Sequence, residues 1–259
     1  MKKARHTLLV GATRGIGRAV ARAFAGEGHK VSVIGRRAAA AADAAPGLRH
    51  WAVDLTDSKA RARVLERIVR ERGRLTHLVF MQRYRGDGDA WEGELATSLT
   101  ATKQIIERLV GAFDGAPENS IVMVGSIASR LIAEEQPLGY HVAKAGLAQM
   151  ARYYAVTLGP KGIRVNCVSP GVVLKDEARD FYSRNEKLLD LYRKIIPIGR
   201  MSTADEIAQL VVFLCSPKAS SITGQNIVAD GGLSLQWQES LARRTALKNL
   251  TITRKPRGK

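Results

Sequence analysis

Tyr140 and Lys144 stand four residues apart in Tyr140-His-Val-Ala-Lys144, a spacing that returns both side chains to one face of a helix. Together they can act as an acid–base pair. A phenol ordinarily titrates near pH ~10, and a neighbouring ammonium favours its phenolate. Ser126 follows the apolar run Ile121-Val-Met-Val-Gly125, which places it at the carboxyl end of a strand.

A second constellation lies near the amino terminus. Gly11-Ala-Thr-Arg-Gly15-Ile-Gly17 follows a short apolar run and leads directly into a helical pattern. Glycines there permit a tight turn, let backbone N–H groups approach a pyrophosphate, and set it at a positive helix end. Gly11, Thr13, Arg14, Gly15, Ile16 and Gly17 are therefore candidate contacts for a dinucleotide. An NAD site usually carries a carboxylate at the end of the second strand, for the adenosine ribose. Here that strand ends in Gly35-Arg36-Arg37. Arg14, Arg36 and Arg37 instead suit the extra 2′-phosphate of NADP(H).

The elements that must position these residues can be read from hydrophobic pattern. Strands are expected at Thr7–Ala12, Lys30–Gly35, Leu48–Val53, Thr76–Met81, Ser120–Gly125, Ile163–Ser169 and Gln225–Ala229. Helical spacing fills Ile16–Glu27, Ser58–Arg72, Glu94–Phe113, Tyr140–Leu158 and Thr203–Leu214. Strands alternating with helices of this length imply βαβ units and a parallel sheet covered on both faces. In such a sheet ligands bind beyond the carboxyl ends of the strands. That rule also brings Gln82-Arg83-Tyr84-Arg85-Gly86, just after the fourth strand, to the mouth of the site. Arg83 and Arg85 could grip a phosphate or carboxylate there.

Composition narrows the alternatives. The chain has 259 residues, 45% hydrophobic and 25% charged, which is ordinary globular usage. Its net charge is +17, and residues 235–259 hold seven of the basic side chains against one acid. Aromatics are only 5%, so there is no basic-aromatic platform for single strands, and a nucleic-acid partner is not expected. No apolar run reaches the roughly 18 residues of a membrane span. Five histidines and two cysteines show no metal-ligand spacing, so no metal is expected. A thiol-poor chain without a secretory pattern points to the cytoplasm.

Taken together, these motifs resemble the short-chain dehydrogenase/reductase family, in its single-domain branch of about 250 residues. The resemblance runs from Thr7 to Leu233 and rests on the glycine loop, Asp54-Leu55, Ser126, Tyr140/Lys144 and VNCVSPG (Val165–Gly171). It also includes IPIGRMSTADEIA (Ile196–Ala208) and ITGQNIVADGG (Ile222–Gly232). It implies a three-layer, doubly wound α/β Rossmann fold with a seven-stranded parallel sheet in residues 1–234, followed by a basic extension, 235–259. It further implies that Ser126 bonds the substrate carbonyl, Tyr140 moves the proton, and Lys144 binds the nicotinamide ribose. Asp54 and Leu55 would border the adenine, and Val173 the carboxamide. A homo-oligomer, tetramer or dimer, is the family's habit.

Three departures stand out. Phe80-Met81-Gln82-Arg83 replaces the usual Asn-Asn-Ala-Gly. Ser98 aligns with the asparagine that normally holds a proton-relay water. Lys175 replaces a threonine often found after the Pro-Gly step. The expected activity is NADPH-dependent reduction of a ketone or aldehyde, small or carrier-bound, with an anionic substrate favoured by Arg83 and Arg85. The alternatives are a 3-oxoacyl-carrier-protein reductase specifically, or a catalytically weak NADPH-binding scaffold.

Overall fold

The computed structural model describes residues 5–36 and 45–246. Arg37 and the basic end Thr253–Lys259 lie outside them. β1 (His6–Val10) runs into α1 (Ile16–Gly26), then β2 (Lys30–Gly35), β3 (Leu48–Ala52), α2 (Ser58–Arg72) and β4 (His77–Phe80). α3 (Ala90–Glu94) leads through a π turn, Leu95–Thr100, into α4 (Ala101–Leu109). β5 (Ser120–Val124), α5 (Leu138–Leu158) and β6 (Arg164–Pro170) follow. β7 (Val173–Leu174), α6 (Arg179–Ser183), α7 (Glu186–Ile195) and β8 (Ser202–Thr203) form an excursion that returns to α8 (Ala204–Cys215), β9 (Asn226–Ala229) and α9 (Gln238–Ala246).

Seven strands form one parallel sheet in the order β3-β2-β1-β4-β5-β6-β9. The doubly wound α/β fold is therefore as expected. Side chains alternate across it with the period of two that a strand imposes. Leu8, Val10, Leu78, Phe80, Ile121 and Met123 face α2, α4 and α5. Leu9, Val31, Val33, Val79, Val122 and Val168 face α1 and α8. Both faces are covered, so the strands read as continuous apolar runs. Each fully buried side chain of this kind contributes about 1.5–3 kcal/mol.

Several ends are set by specific residues. Asp57 caps α2 by accepting from Ala60 N at 2.9 Å. Thr203 and Glu206 form a capping box on α8. α1 packs so closely on the loop before it that a Cβ at Gly17 would come within 2.4 Å of Ala12 Cα. Any larger residue there would push helix and strand apart.

The expected helix over Glu94–Phe113 is corrected. Helix begins at Ala90, is interrupted by the π turn, resumes at Ala101 and ends in a 3₁₀ turn, Val110–Ala112. A π turn adds a residue to the coil. The 3.6-residue hydrophobic pattern does not announce it. Lys175–Lys194 holds a 3₁₀ turn, α6 and most of α7. β7 pairs with β8 (Val173↔Ser202, Leu174↔Thr203), closing the base of that excursion. Trp237 is 66% exposed. α9 is held to the end of α7 by polar contacts: Gln236 Nε2 donates to Ile195 O at 2.6 Å, and Arg244 to Lys194 O at 3.3 Å. Among the described residues no helix is long and apolar enough to cross a membrane.

Candidate active site

The carboxyl ends of β1, β2, β4, β5 and β6 open onto one cleft of about 440 Å³. It is lined by the glycine loop, Arg36, Asp54, Leu55, Gln82 to Arg85, Ser126, Tyr140, Lys144, Val173 and Lys175. Residues from eight stretches of sequence therefore meet in one place. Ser98 is fully buried and absent from the cleft wall; its neighbour Thr97 lines the cleft instead.

On the catalytic side, α5 carries Tyr140 and Lys144 one turn apart. Lys144 is 4% exposed and donates to Val124 O at 3.0 Å. Burial pushes its pKa down to about 8, and Arg83 and Lys175 act in the same direction; Glu94 and Cys167 oppose them. Lys144 Nζ lies 5.5 Å from the Tyr140 ring centroid, and the Arg83 guanidinium lies 4.7 Å from it. Two cations thus flank the phenol. Ser126 sits at the end of β5, where its Oγ accepts from Ala128 N at 3.1 Å and so fixes a 3₁₀ turn.

On the other side, Gly11 has φ +79°, and a Cβ there would lie 2.5 Å from Gln82 Cα. Only glycine fits between the two strand ends. The α1 amino terminus points its free N–H groups into this region. One of them has a partner: Gly15 N donates to Glu177 Oε1 at 3.0 Å, and Arg18 lies 3.7 Å from the same oxygen. A carboxylate from the excursion thus stands where an anion would. Burial tends to raise the Glu177 pKa, but hydrogen bonds from the backbone N–H groups of Glu177 and Gly15, with Arg18 nearby, hold it below its ordinary value.

Around the end of β2 basic charges predominate, with Asp54 and Glu177 opposing them. Arg36 donates to Arg85 O at 3.0 Å. Burial lowers the Arg85 pKa, and Arg83, Arg14 and Arg36 lower it further. Asp54 is turned to its own chain, accepting from Thr56 N and Oγ1, both at 2.8 Å. Those bonds hold its carboxyl below the usual range. Leu55 is buried, and its carbonyl accepts from Arg61.

These features fit a dinucleotide. The loop presents backbone donors at a helix end, glycines allow close approach, and the basic rim awaits an anion. The buried Gln82 Oε1 has no hydrogen-bond partner among the described residues, which leaves an acceptor in the wall for a hydroxyl. Gln82 Nε2 is used internally, donating to Thr102 Oγ1 at 2.7 Å.

Sequence reasoning missed two residues, Glu94 and Glu177. Glu94 accepts from Ser98 Oγ at 2.7 Å and lies 3.9 Å from Arg83 Nε, though it is only 2% exposed. An acidic residue on an amphipathic stretch reads as solvent-facing, and nothing local marked it otherwise.

With fold and site in view, the class is defined: a Rossmann-type sheet carrying a dinucleotide loop and a Ser/Tyr/Lys group at one crevice. A family profile described as enoyl-(acyl carrier protein) reductase matches residues 11–234, and the chain belongs to the short-chain dehydrogenase/reductase family. It is an oxidoreductase of the alcohol/carbonyl type, in a family that uses NAD(P)(H). It is similar to isoepoxydon dehydrogenase of Penicillium expansum, 29% identical over 91% of this chain and 97% of that one. It is also similar to D-threitol dehydrogenase of Mycolicibacterium smegmatis, 30% identical over 88% and 92%. Among solved structures, a short-chain oxidoreductase from Burkholderia thailandensis is 29% identical, covering 93% of this chain and 97% of that one, with a TM-score of 0.77.

Proposed function

We propose that this protein is an NADPH-dependent reductase of a ketone or aldehyde, small or carrier-bound, whose substrate carries negative charge. The observation that carries the reading is the gathering of Arg14, Arg36 and Arg85 beside a β2 end that offers no carboxylate. Like charges held together favour an anion between them. The 2′-phosphate is the group that NADP(H) has and NAD(H) lacks. Each charge-assisted bond to it contributes about 1.5–3 kcal/mol.

Gly11, Thr13, Gly15, Ile16 and Gly17 hold the pyrophosphate through backbone N–H groups, and Asp54 and Leu55 border the adenine. Lys144 holds the nicotinamide ribose, and Val173 meets the carboxamide. The cofactor supplies the hydride when bound. Ser126 Oγ donates to the substrate carbonyl oxygen, and Tyr140 gives that oxygen its proton. Lys144 and Arg83 flank the ring and stabilise the negative charge left on the phenol oxygen. Arg83, beside Tyr140, and Arg85 favour an anionic substrate.

The test pairs NADPH and NADH oxidation over a carbonyl panel with melting shifts for each cofactor. We expect turnover with a higher kcat/KM for NADPH. A preference for NADH overturns the cofactor assignment. A melting shift without turnover of any carbonyl makes the protein an NADPH-binding scaffold instead. Exposed Val142, Tyr153 and Val156 on α5 also support self-association into a dimer or tetramer. A 28 kDa particle in light scattering refutes it.

A further inference from the structure

Glu94 is a buried acid that the chemistry above does not use. It ends α3, immediately before the π turn, and is 2% exposed. A carboxylate so placed is costly unless charged or hydrogen-bonding partners compensate. Its partners are distinctive. Ser98 donates to Oε2 at 2.7 Å, Arg83 Nε stands 3.9 Å from Oε1, and Lys144 lies within its electrostatic reach. Arg83 and Lys144 are the two cations that flank Tyr140.

We propose that Glu94 is a positioning residue of this site: its carboxylate keeps Lys144 charged and Arg83 seated over the Tyr140 ring, and Ser98 serves that carboxylate rather than the cleft. The proposal rests on Tyr140 and Lys144 being the acid–base pair. Three observations carry it. Ser98 cannot serve the cleft directly, because the π turn leaves it fully buried and gives the wall to Thr97. Arg83 is held from two sides, by Glu94 and by Gln136 Oε1, which accepts from it at 3.1 Å. Lys144 faces Arg83 and Lys175, which repel its charge, and Glu94 and Cys167, which favour it. Burial has already brought the Lys144 pKa to about 8, so little margin remains at neutral pH. Without Glu94, a smaller share of Lys144 would carry the ammonium at neutral pH.

The test follows Lys144 by NMR of lysine-labelled, ligand-free full-length protein, its resonance assigned by loss in Lys144→Met. In Glu94→Gln we expect the Lys144 midpoint to fall by about half a pH unit or more. Glu94→Asp, which keeps the charge, should stay near wild type. In NADPH oxidation, Glu94→Gln should lower kcat about tenfold while KM stays within about threefold. The half-maximum of kcat/KM against pH should move with the NMR midpoint. An unchanged midpoint in Glu94→Gln overturns the proposal. Where that variant does not fold, Arg83→Gln carries the test. Because Arg83 itself repels Lys144, the midpoint in Arg83→Gln is compared with that in Arg83→Gln/Glu94→Gln, where it should be lower; equal midpoints overturn the proposal. Shifted midpoints in a protein that reduces no carbonyl would defeat the reductase reading while supporting the role of Glu94.

Discussion

The amino and carboxyl ends of this sheet both bury ionisable side chains, and they handle them differently. At the amino end, His29 and His77 stack with ring centroids 5.5 Å apart, each also against Phe24. His29 bonds Thr7 Oγ1, His77 bonds Ser120 Oγ and His6 bonds Ser32 Oγ, all at 2.9 Å. Burial holds His29 down to about 4 and His77 well below its ordinary value. These rings are neutral and served by hydroxyls within the protein. At the carboxyl end, Arg14, Arg36, Arg83, Arg85, Lys144 and Lys175 converge on a cleft where the nearby carboxylates are fewer. One end closes the fold, and the other holds charge ready for a ligand.

The largest expected effect would separate the two ends cleanly. Tyr140→Phe should lower kcat by about 100- to 10,000-fold in NADPH oxidation, with the melting temperature nearly unchanged. Retention of more than about a tenth of wild-type kcat removes Tyr140 from the proton transfer.

Next in size is the basic rim. Arg36→Ala combined with Arg14→Ala should raise the KM for NADPH by about 10- to 100-fold and leave that for NADH nearly unchanged. Equal losses with both cofactors would make these arginines general supports of the loop.

The amino end should show itself in acid. A histidine whose folded pKa is depressed stays neutral in the native state while the unfolded chain takes up a proton. Stability is then complete above pH ~6.5 and declines as pH falls toward 4. His29 alone should cost about 3 kcal/mol by pH 4, with His77 adding to it. Urea denaturation at several pH values checks this. A flat stability across that window would mean that the rings are accessible to protons.

The smallest effect concerns Glu177. Its carboxylate sits on Gly15 N and competes with any phosphate. Glu177→Gln should tighten NADPH binding by about three- to tenfold in calorimetry. Weaker binding would show that Glu177 helps to hold the cofactor.

Much of this was legible in the sequence because it is local. All seven strands of the main sheet can be placed from the sequence, most of them as apolar runs, and the structure moves their ends by only a residue or two. The glycine loop, Ser126, Tyr140 and Lys144 are short motifs tied to strand ends, and topology brings such ends together. What stayed hidden depends on distant partners or on irregular coil. Glu177 meets Gly15 across 162 residues. Glu94 looks unremarkable, and Ser98, aligned with the relay asparagine, reads as facing the cleft until the structure buries it. Arg83 and Arg85 were read as a pair, yet Arg83 lies on Tyr140 and Arg85 beside Arg36.

The short pairing of β7 with β8 bears on how this site can change. It ties the chain at Leu174 to the chain at Thr203, so the segment between leaves the fold and returns to it at neighbouring points. The entropy of closing a loop grows only with the logarithm of its length, about 0.6 kcal/mol for each doubling. Because that closure is anchored at the base, insertions or exchanges near Phe181 and Tyr182 need not disturb the sheet or the acid–base group. Tyr140 and Lys144 thus stand on the sheet side of the cleft, apart from an excursion whose sequence can drift at low thermodynamic cost.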